Sequence, residues 1–242
     1  MNEYELKAYE EVIMWKRQLL KRSGILKRVS KRAQSKVNQL IPAKVHKVLT
    51  EGIKNMVKAT LAGSNLTVKK NQANGLSLFE RDQLVLKKMG AYRKTAAVEG
   101  AGTGAGGFML GLADFPLLLS IKMRFLFEAA SIYGYNPADY EERLFILHVF
   151  KLAFSSDDKQ RETFRIIEEW DNRGGKAGSE IDWHEFQQEY RDYIDFVKML
   201  QLVPVIGAAV GAYANYSLLD HLGETAMNSY RLRLLNTPPA AI

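Results

Sequence analysis

Between Glu99 and Arg143 the chain reads EGAGTGAGGFMLGLADFPLLLSIKMRFLFEAASIYGYNPADYEER, and this stretch restricts the possible folds more than any other. Gly100, Gly104, Gly107 and Gly111 recur at spacings of four, three and four. On a helix they share one face, a groove without side chains where a second backbone can approach. That approach offsets the ~1 kcal/mol that each glycine costs in helix propensity. Asp114 and Pro116 then read as a break and restart, the carboxylate placed to cap and the proline suited to a first turn. The helix they open runs to Tyr133 and stops at Gly134.

A second small-residue run, PVIGAAVGAYANYSLLDHL from Pro204, carries Gly207 and Gly211 four apart. The expectation is two Gly/Ala-rich central helices, 98–113 and 204–219, nested through their bare faces and packed with helices 115–133 and 139–154. No segment alternates well enough for a strand, and the rest has helical period. Helices are expected over 3–22, 25–41, 42–61, 77–98, 156–172, 182–203 and 224–235. Ser77 with Glu80, Asp139 with Glu142 and Asp182 with Glu185 have capping-box spacing. The predicted fold is all-α, a single multi-helix domain of about nine or ten helices. Basic N-terminal helices (1–62) and a polar loop (63–76) lead into a helical core (77–236) that shares one domain with 1–62. The tail, 237–242, is expected to fray.

The net charge of +7 conceals a division. Residues 1–99 hold 21 Lys and Arg against 8 acids, a surplus of thirteen; residues 100–242 hold 13 against 19, a deficit of six. The cations concentrate between Lys16 and Lys58, thirteen of them with Glu51 as the one acid. Within that run Leu26, Val29, Ala33, Val37 and Leu40 form an apolar stripe beside a basic face. Such a helix suits an anionic lipid surface, and Lys16, Arg17, Lys21, Arg22, Lys27, Arg28, Lys31, Arg32 and Lys36 are the candidate lipid- or anion-binding residues. Trp15, beside Lys16, is placed for the same interface. Nucleic acid is disfavoured: the run lacks interleaved aromatics and has no helix-turn-helix spacing. A solvated face and attraction between the two halves of the chain are the plainer alternatives.

Two runs are long enough to raise the question of a membrane span, Gly100–Ile121 and Met199–Leu219. Both are rich in Gly and Ala and each holds a proline. Asp114 would cost about 2.5 kcal/mol or more at a bilayer centre. Buried packing is therefore expected over spanning. The N-terminus, MNEYELKAYEEV, lacks the basic lead and apolar core of a signal peptide.

Chemistry is sparsely marked. The chain has no cysteine, which excludes a disulfide scaffold and a thiolate metal site. Gly102, Gly104 and Gly107 satisfy GxGxxG, but helix rather than strand precedes them, so no dinucleotide loop is inferred. The four histidines are scattered, with no metal-ligand spacing and no metal or cofactor implied. No catalytic residue is assigned. The candidate polar cluster is Asp114, Arg124, Glu128, Glu141, Glu142 and Arg143, acids and arginines set among large apolar residues. It reads either as a salt-bridge network fixing the helices or as the pocket of a hydrolase or small-ligand-binding protein.

The segment GLADFPLLLSIKMRFLFEAASIYGYNPADYEERLFIL (111–147) resembles the EcsC family pattern: a GLAD-proline break, an arginine helix, a Tyr-Gly stop and a Glu-Glu-Arg helix. VPVIGAAVGAYANYSLLD (203–220) is similar to that family's second landmark, and the N-terminal Tyr-Glu and Trp15 fit its start. The family has no established reaction, so the resemblance implies no catalytic residues. Its namesake is encoded beside the subunits of an ABC transporter. By association this implies a cytoplasmic, membrane-proximal accessory; with the charge division and the two apolar runs, the expectation is a non-enzymatic protein, peripheral at the inner face of the cell membrane, that meets an anionic membrane surface or a membrane-protein partner.

Overall fold

A computed structural model of the chain describes residues 1–21, 43–63, 72–104, 115–155, 157–172 and 207–235. Among these residues the elements are seven helices: α1 (Glu3–Leu20), α2 (Ala43–Ala62), α3 (Leu78–Gly104), α4 (Phe115–Tyr133), α5 (Tyr140–Phe154), α6 (Asp157–Glu168) and α7 (Gly207–Leu234). The expected nine or ten included helices over 25–41 and 182–203, which lie outside the described residues.

Local chemistry sets most of the boundaries. Asn2 and Glu5 form a capping box at α1: Glu5 N–H donates to Asn2 Oδ1 and Asn2 N–H to Glu5 Oε2, each at 2.9 Å. Ser77 and Glu80 open α3 likewise, with Ser77 N–H donating to Glu80 Oε2 at 2.8 Å. That bond holds the exposed Glu80 carboxyl below its usual range. α4 ends in a Schellman motif, with Gly134 N–H on Ser131 O (3.2 Å) and Tyr135 N–H on Ala130 O (3.0 Å). Gly134 has φ +98°, where a Cβ is strained. The box expected from Asp139 and Glu142 does not form: Asp139 makes no side-chain cap at α5. Asp139 instead accepts from Asn136 at 2.9 Å, and Glu142 turns into the core.

Two expected breaks are absent. α3 passes through Val98 without interruption, and α7 runs from Gly207 through Gly223 into the stretch 224–235, so the described part of the helix expected over 204–219 and the next one are continuous. Among the described helices α3 and α7 pack together more extensively than any other pair. They run antiparallel, since Asp82 meets Arg231, Met89 meets Gly223 and Arg93 meets Asp220. A Cβ on Gly223 would overlap the Met89 sulfur, so this glycine sets how closely the pair approaches. Of the expected packing glycines, Gly100 and Gly104 fall in the last turns of α3, and Gly207 and Gly211 in the first turns of α7. Gly107 and Gly111 lie outside the described residues.

α4 and α5 form the centre, with fourteen of nineteen and twelve of fifteen residues buried. Helices apolar on every side belong inside. Phe125, Phe127, Phe145, Phe150 and Leu222 are fully buried there. α1 lies outside and buries Ala8, Val12 and Trp15. Trp15 therefore does not face a lipid interface: it is 7% exposed and meets the Phe164 ring of α6 edge-on, at 5.5 Å. The spacing of four and three that places it beside Ala8 and Val12 turns it inward. Among the described residues no helix is long and apolar enough to cross a membrane.

Candidate functional site

Two arginines on the last turns of α7 organise the polar interior. Arg231 grips Asp82 of α3 with Nε at 2.9 Å and a second guanidinium nitrogen at 2.8 Å. Asp82 is fully buried and also accepts from Tyr4 OH of α1 (2.8 Å) and Tyr133 OH of α4 (2.5 Å). One carboxylate thus ties four helices together. The remaining guanidinium nitrogen of Arg231 meets Glu11 of α1 at 2.8 Å. Burial, with Asp82 beside it, pushes the Tyr4 phenol up to about 12, and the same two causes raise the Tyr133 phenol well above its usual value.

Arg233 makes a parallel node with different surroundings. It meets Glu142 of α5 at 2.8 Å and Asp171 at 3.0 Å. Its guanidinium lies over the Tyr135 ring at 3.7 Å and the Phe145 ring at 4.3 Å. Tyr230 OH donates to the second Glu142 oxygen at 2.6 Å. Burial raises the Glu142 carboxyl and Arg233 opposes it. Tyr133 and Tyr230 stack at 5.2 Å, which places the two nodes back to back.

Each node borders an opening. A cavity of about 320 Å³ beside Arg233 is bordered by Glu141, Glu142, Asp171 and Tyr135. A groove of about 750 Å³ beside Arg231 lies between α1 and α3 with α7 as its floor. Its apolar lining includes Met14, Trp15, Phe79, Leu86, Met89 and Met227. This groove was not legible in the sequence, because its residues come from three helices far apart in the chain. The Met14–Gln18 and Phe79–Leu86 spacings were its one visible signal.

The predicted polar cluster is distributed over the fold. Glu128 meets Lys88 at 2.9 Å and accepts from Tyr92 OH at 3.2 Å, both on α3. Arg124 is exposed. Glu141 and Glu142 share the cavity beside Arg233. Arg143 donates to the Leu61 carbonyl at 3.1 Å and to the Ala138 carbonyl, and so caps the end of α2. Asp114 lies outside the described residues. Of the candidate anion-binding cations, Lys16 bridges to Glu168 of α6. Arg17 and Lys21 are exposed, and Arg22, Lys27, Arg28, Lys31, Arg32 and Lys36 lie outside the described residues.

Sequence reasoning missed Asp82, Arg231 and Arg233, which are ordinary charges on amphipathic helices until their partners are known. It also missed Lys122 of α4, which is fully buried with no hydrogen-bond partner for Nζ and is pushed down to about 7 by burial. Among the described residues no group of three or more His, Asp or Glu could hold a metal ion.

Residues 6–235 match the pattern of the EcsC protein family. The chain is 53% identical to the protein EcsC of Bacillus subtilis (strain 168) over 226 residues, 93% of this chain and 94% of that protein. It is 36% identical over 153 residues to the uncharacterized protein YdbA of the same organism, 62% of this chain and 56% of that one. No solved structure matches the chain.

Proposed function

Since the chain belongs to the EcsC protein family, we propose that it is a non-enzymatic accessory protein of the membrane surface. Its basic N-terminal part meets anionic lipid at the inner face of the cell membrane, and its helical body meets a membrane-protein partner such as an ABC transporter. The observation that carries this reading is the charge division, with thirteen cations and one acid between Lys16 and Lys58. Arg17, Lys21, Lys47 and Lys58 of that run are exposed. Each cation near an anionic surface contributes about 1 kcal/mol, so several together hold a protein there reversibly and in a salt-dependent way.

The described polar interior also supports a structural role for its charges. Asp82, Glu142, Arg231 and Arg233 neutralise one another within the bundle. The pocket expected for a hydrolase or small-ligand binder needs Asp114, Arg124, Glu128 and Glu141 at one opening. Glu128 faces the middle of α3, whereas Glu141 borders the cavity beside Arg233.

Flotation with vesicles tests the lipid reading. The full chain is expected to float with anionic vesicles at low salt, to be released at high salt, and to ignore neutral vesicles. Arg17→Glu with Lys21→Glu weakens flotation without changing the melting temperature. Equal flotation with both lipid types removes the lipid claim.

A further inference from the structure

We propose that the bundle stands end-on on an anionic bilayer: the end where α2, α4 and α7 begin and α3 finishes enters the lipid headgroups, and the opposite, acidic end faces away. This rests on the lipid half of the proposed function and names the surface that meets the lipid.

Side-chain contacts fix which helix ends lie together. α3 runs antiparallel to α4 and α7, since Arg81 reaches the Tyr133 carbonyl, Tyr92 reaches Glu128 and Arg93 reaches Asp220. It therefore finishes where α4 and α7 begin. α2 packs Gly52 against Phe115 and Leu119 in the first turns of α4, so its own start lies at this end too. α1 starts at the opposite end, where Tyr4 meets Phe79 and Asp82, and leads Lys21 away from it. Residues 22–42, with six cations and no acid, join Lys21 to the start of α2. The most basic stretch of the chain thus returns to this end.

Charge divides along the same axis. Toward this end Arg17, Lys21, Lys47, Lys94 and Arg124 are exposed. Three acids there are matched by cations: Asp220 meets Arg93, Glu51 lies one turn from Lys54, and Glu162 one turn from Lys159. Glu99, Asp157, Asp158 and Glu224 are its further acids, and Lys44, Lys58 and Arg161 add to the cations, which stay in surplus. The opposite end reverses the balance. Glu3, Glu80, Asp139, Glu141 and Asp171 are exposed there beside Lys7. Its arginines are occupied: Arg81 and Arg143 donate to backbone carbonyls, and Arg231 and Arg233 to carboxylates.

The basic end is also apolar at its tip. Val98 is 71% exposed, Leu117 45% and Tyr216 42%, and residues 115–121 carry no charge. Arg93 lies over the Tyr216 ring at 4.7 Å, an aromatic–cation pair suited to the headgroup level. Apolar side chains with cations beside them are how a peripheral surface holds anionic lipid. Phe79 and Tyr140 are exposed at the other end as well, so charge decides which end the bilayer takes.

The full chain has no cysteine, so single labels read the orientation. Val98→Cys and Leu117→Cys at one end, and Leu6→Cys and Tyr140→Cys at the other, each carry an environment-sensitive fluorophore. The probe is a vesicle of phosphatidylglycerol with phosphatidylcholine; phosphatidylcholine alone is the control. Labels at 98 and 117 are expected to brighten and shift to the blue with the anionic vesicle, while those at 6 and 140 stay as in water. Lys47→Glu with Lys94→Glu should weaken flotation about tenfold, and Lys7→Glu should leave it unchanged. Equal response of all four labels, or a response at 6 and 140 alone, overturns the proposal. So does full flotation of the Lys47→Glu, Lys94→Glu chain. The labels decide independently should that double variant fail to fold. Flotation with silent labels at 98 and 117 sinks the end-on placement and leaves the lipid reading standing, whereas an unlabelled chain that never floats removes both.

Discussion

Arg231 and Arg233 stand two residues apart on α7, yet they do different work. Arg231 reaches a carboxylate with no exposure to water, in a node that joins α1, α3, α4 and α7. Arg233 lies between aromatic rings and divides its charge between buried Glu142 and half-exposed Asp171. The difference teaches that the same ion pair carries different weight according to what is left behind when it breaks. Each arginine keeps a half-exposed second partner, Glu11 or Asp171, so the difference lies in the acid: loss of Asp82 strands two tyrosine hydroxyls from two other helices besides the guanidinium, whereas loss of Glu142 strands one, on α7 itself.

The largest expected break is at Asp82. Asp82→Asn leaves Arg231 buried against a neutral amide and should lower stability by about 3–5 kcal/mol in denaturant titration. A loss under about 1 kcal/mol would show that the node is not what fixes α1 to the bundle.

Lys122 sharpens the comparison from the opposite side, as a buried cation with no partner. Its folded pKa, about 7, lies below the ordinary value of 10.5. The unfolded chain therefore binds the proton more readily between those values, and stability should rise with pH through that window. Lys122→Met should raise stability at pH 7 by about 2–4 kcal/mol and flatten the rise. Thermal melts at several pH values check both effects.

Glu142→Gln should cost less than the Asp82 change, about 1–2 kcal/mol at neutral pH, because Glu142 takes its donors from Tyr230 and Arg233 of α7 alone, whereas Asp82 takes them from three helices. Burial raises the folded Glu142 carboxyl above 4.5, so its contribution is fully present below that value and is lost as pH rises through the raised one. Urea midpoints between pH 4 and 7 should thus fall less steeply with rising pH in the variant. The smallest effect is expected at the groove rim. Glu11 has 41% of its side chain exposed, and Glu11→Gln should cost under about 1 kcal/mol, an effect that salt removes.

Helix existence was largely readable in the chain. The bounds expected at 115–133 and 139–154 hold to within a residue, because Pro116, Gly134 and the apolar period act locally. The missed continuities at Val98 and Gly223 have one cause. Small residues lower helix propensity, and a partner packed alongside restores it: α3 and α7 run through their glycines because each supports the other. The polar cluster was half legible. The residue types on α4 and α5 were visible, but their partners on α3 and α7 lie up to 91 residues away, beyond any local period.

Family, helical class and the uneven charge were written in the order of residues, since caps, stops and composition act over a few positions. Which charges meet, which tryptophan turns inward and where a groove opens were decided only by packing. Those outcomes depend on three or four helices arriving together, and a buried charge takes its meaning from the neighbour that neutralises it.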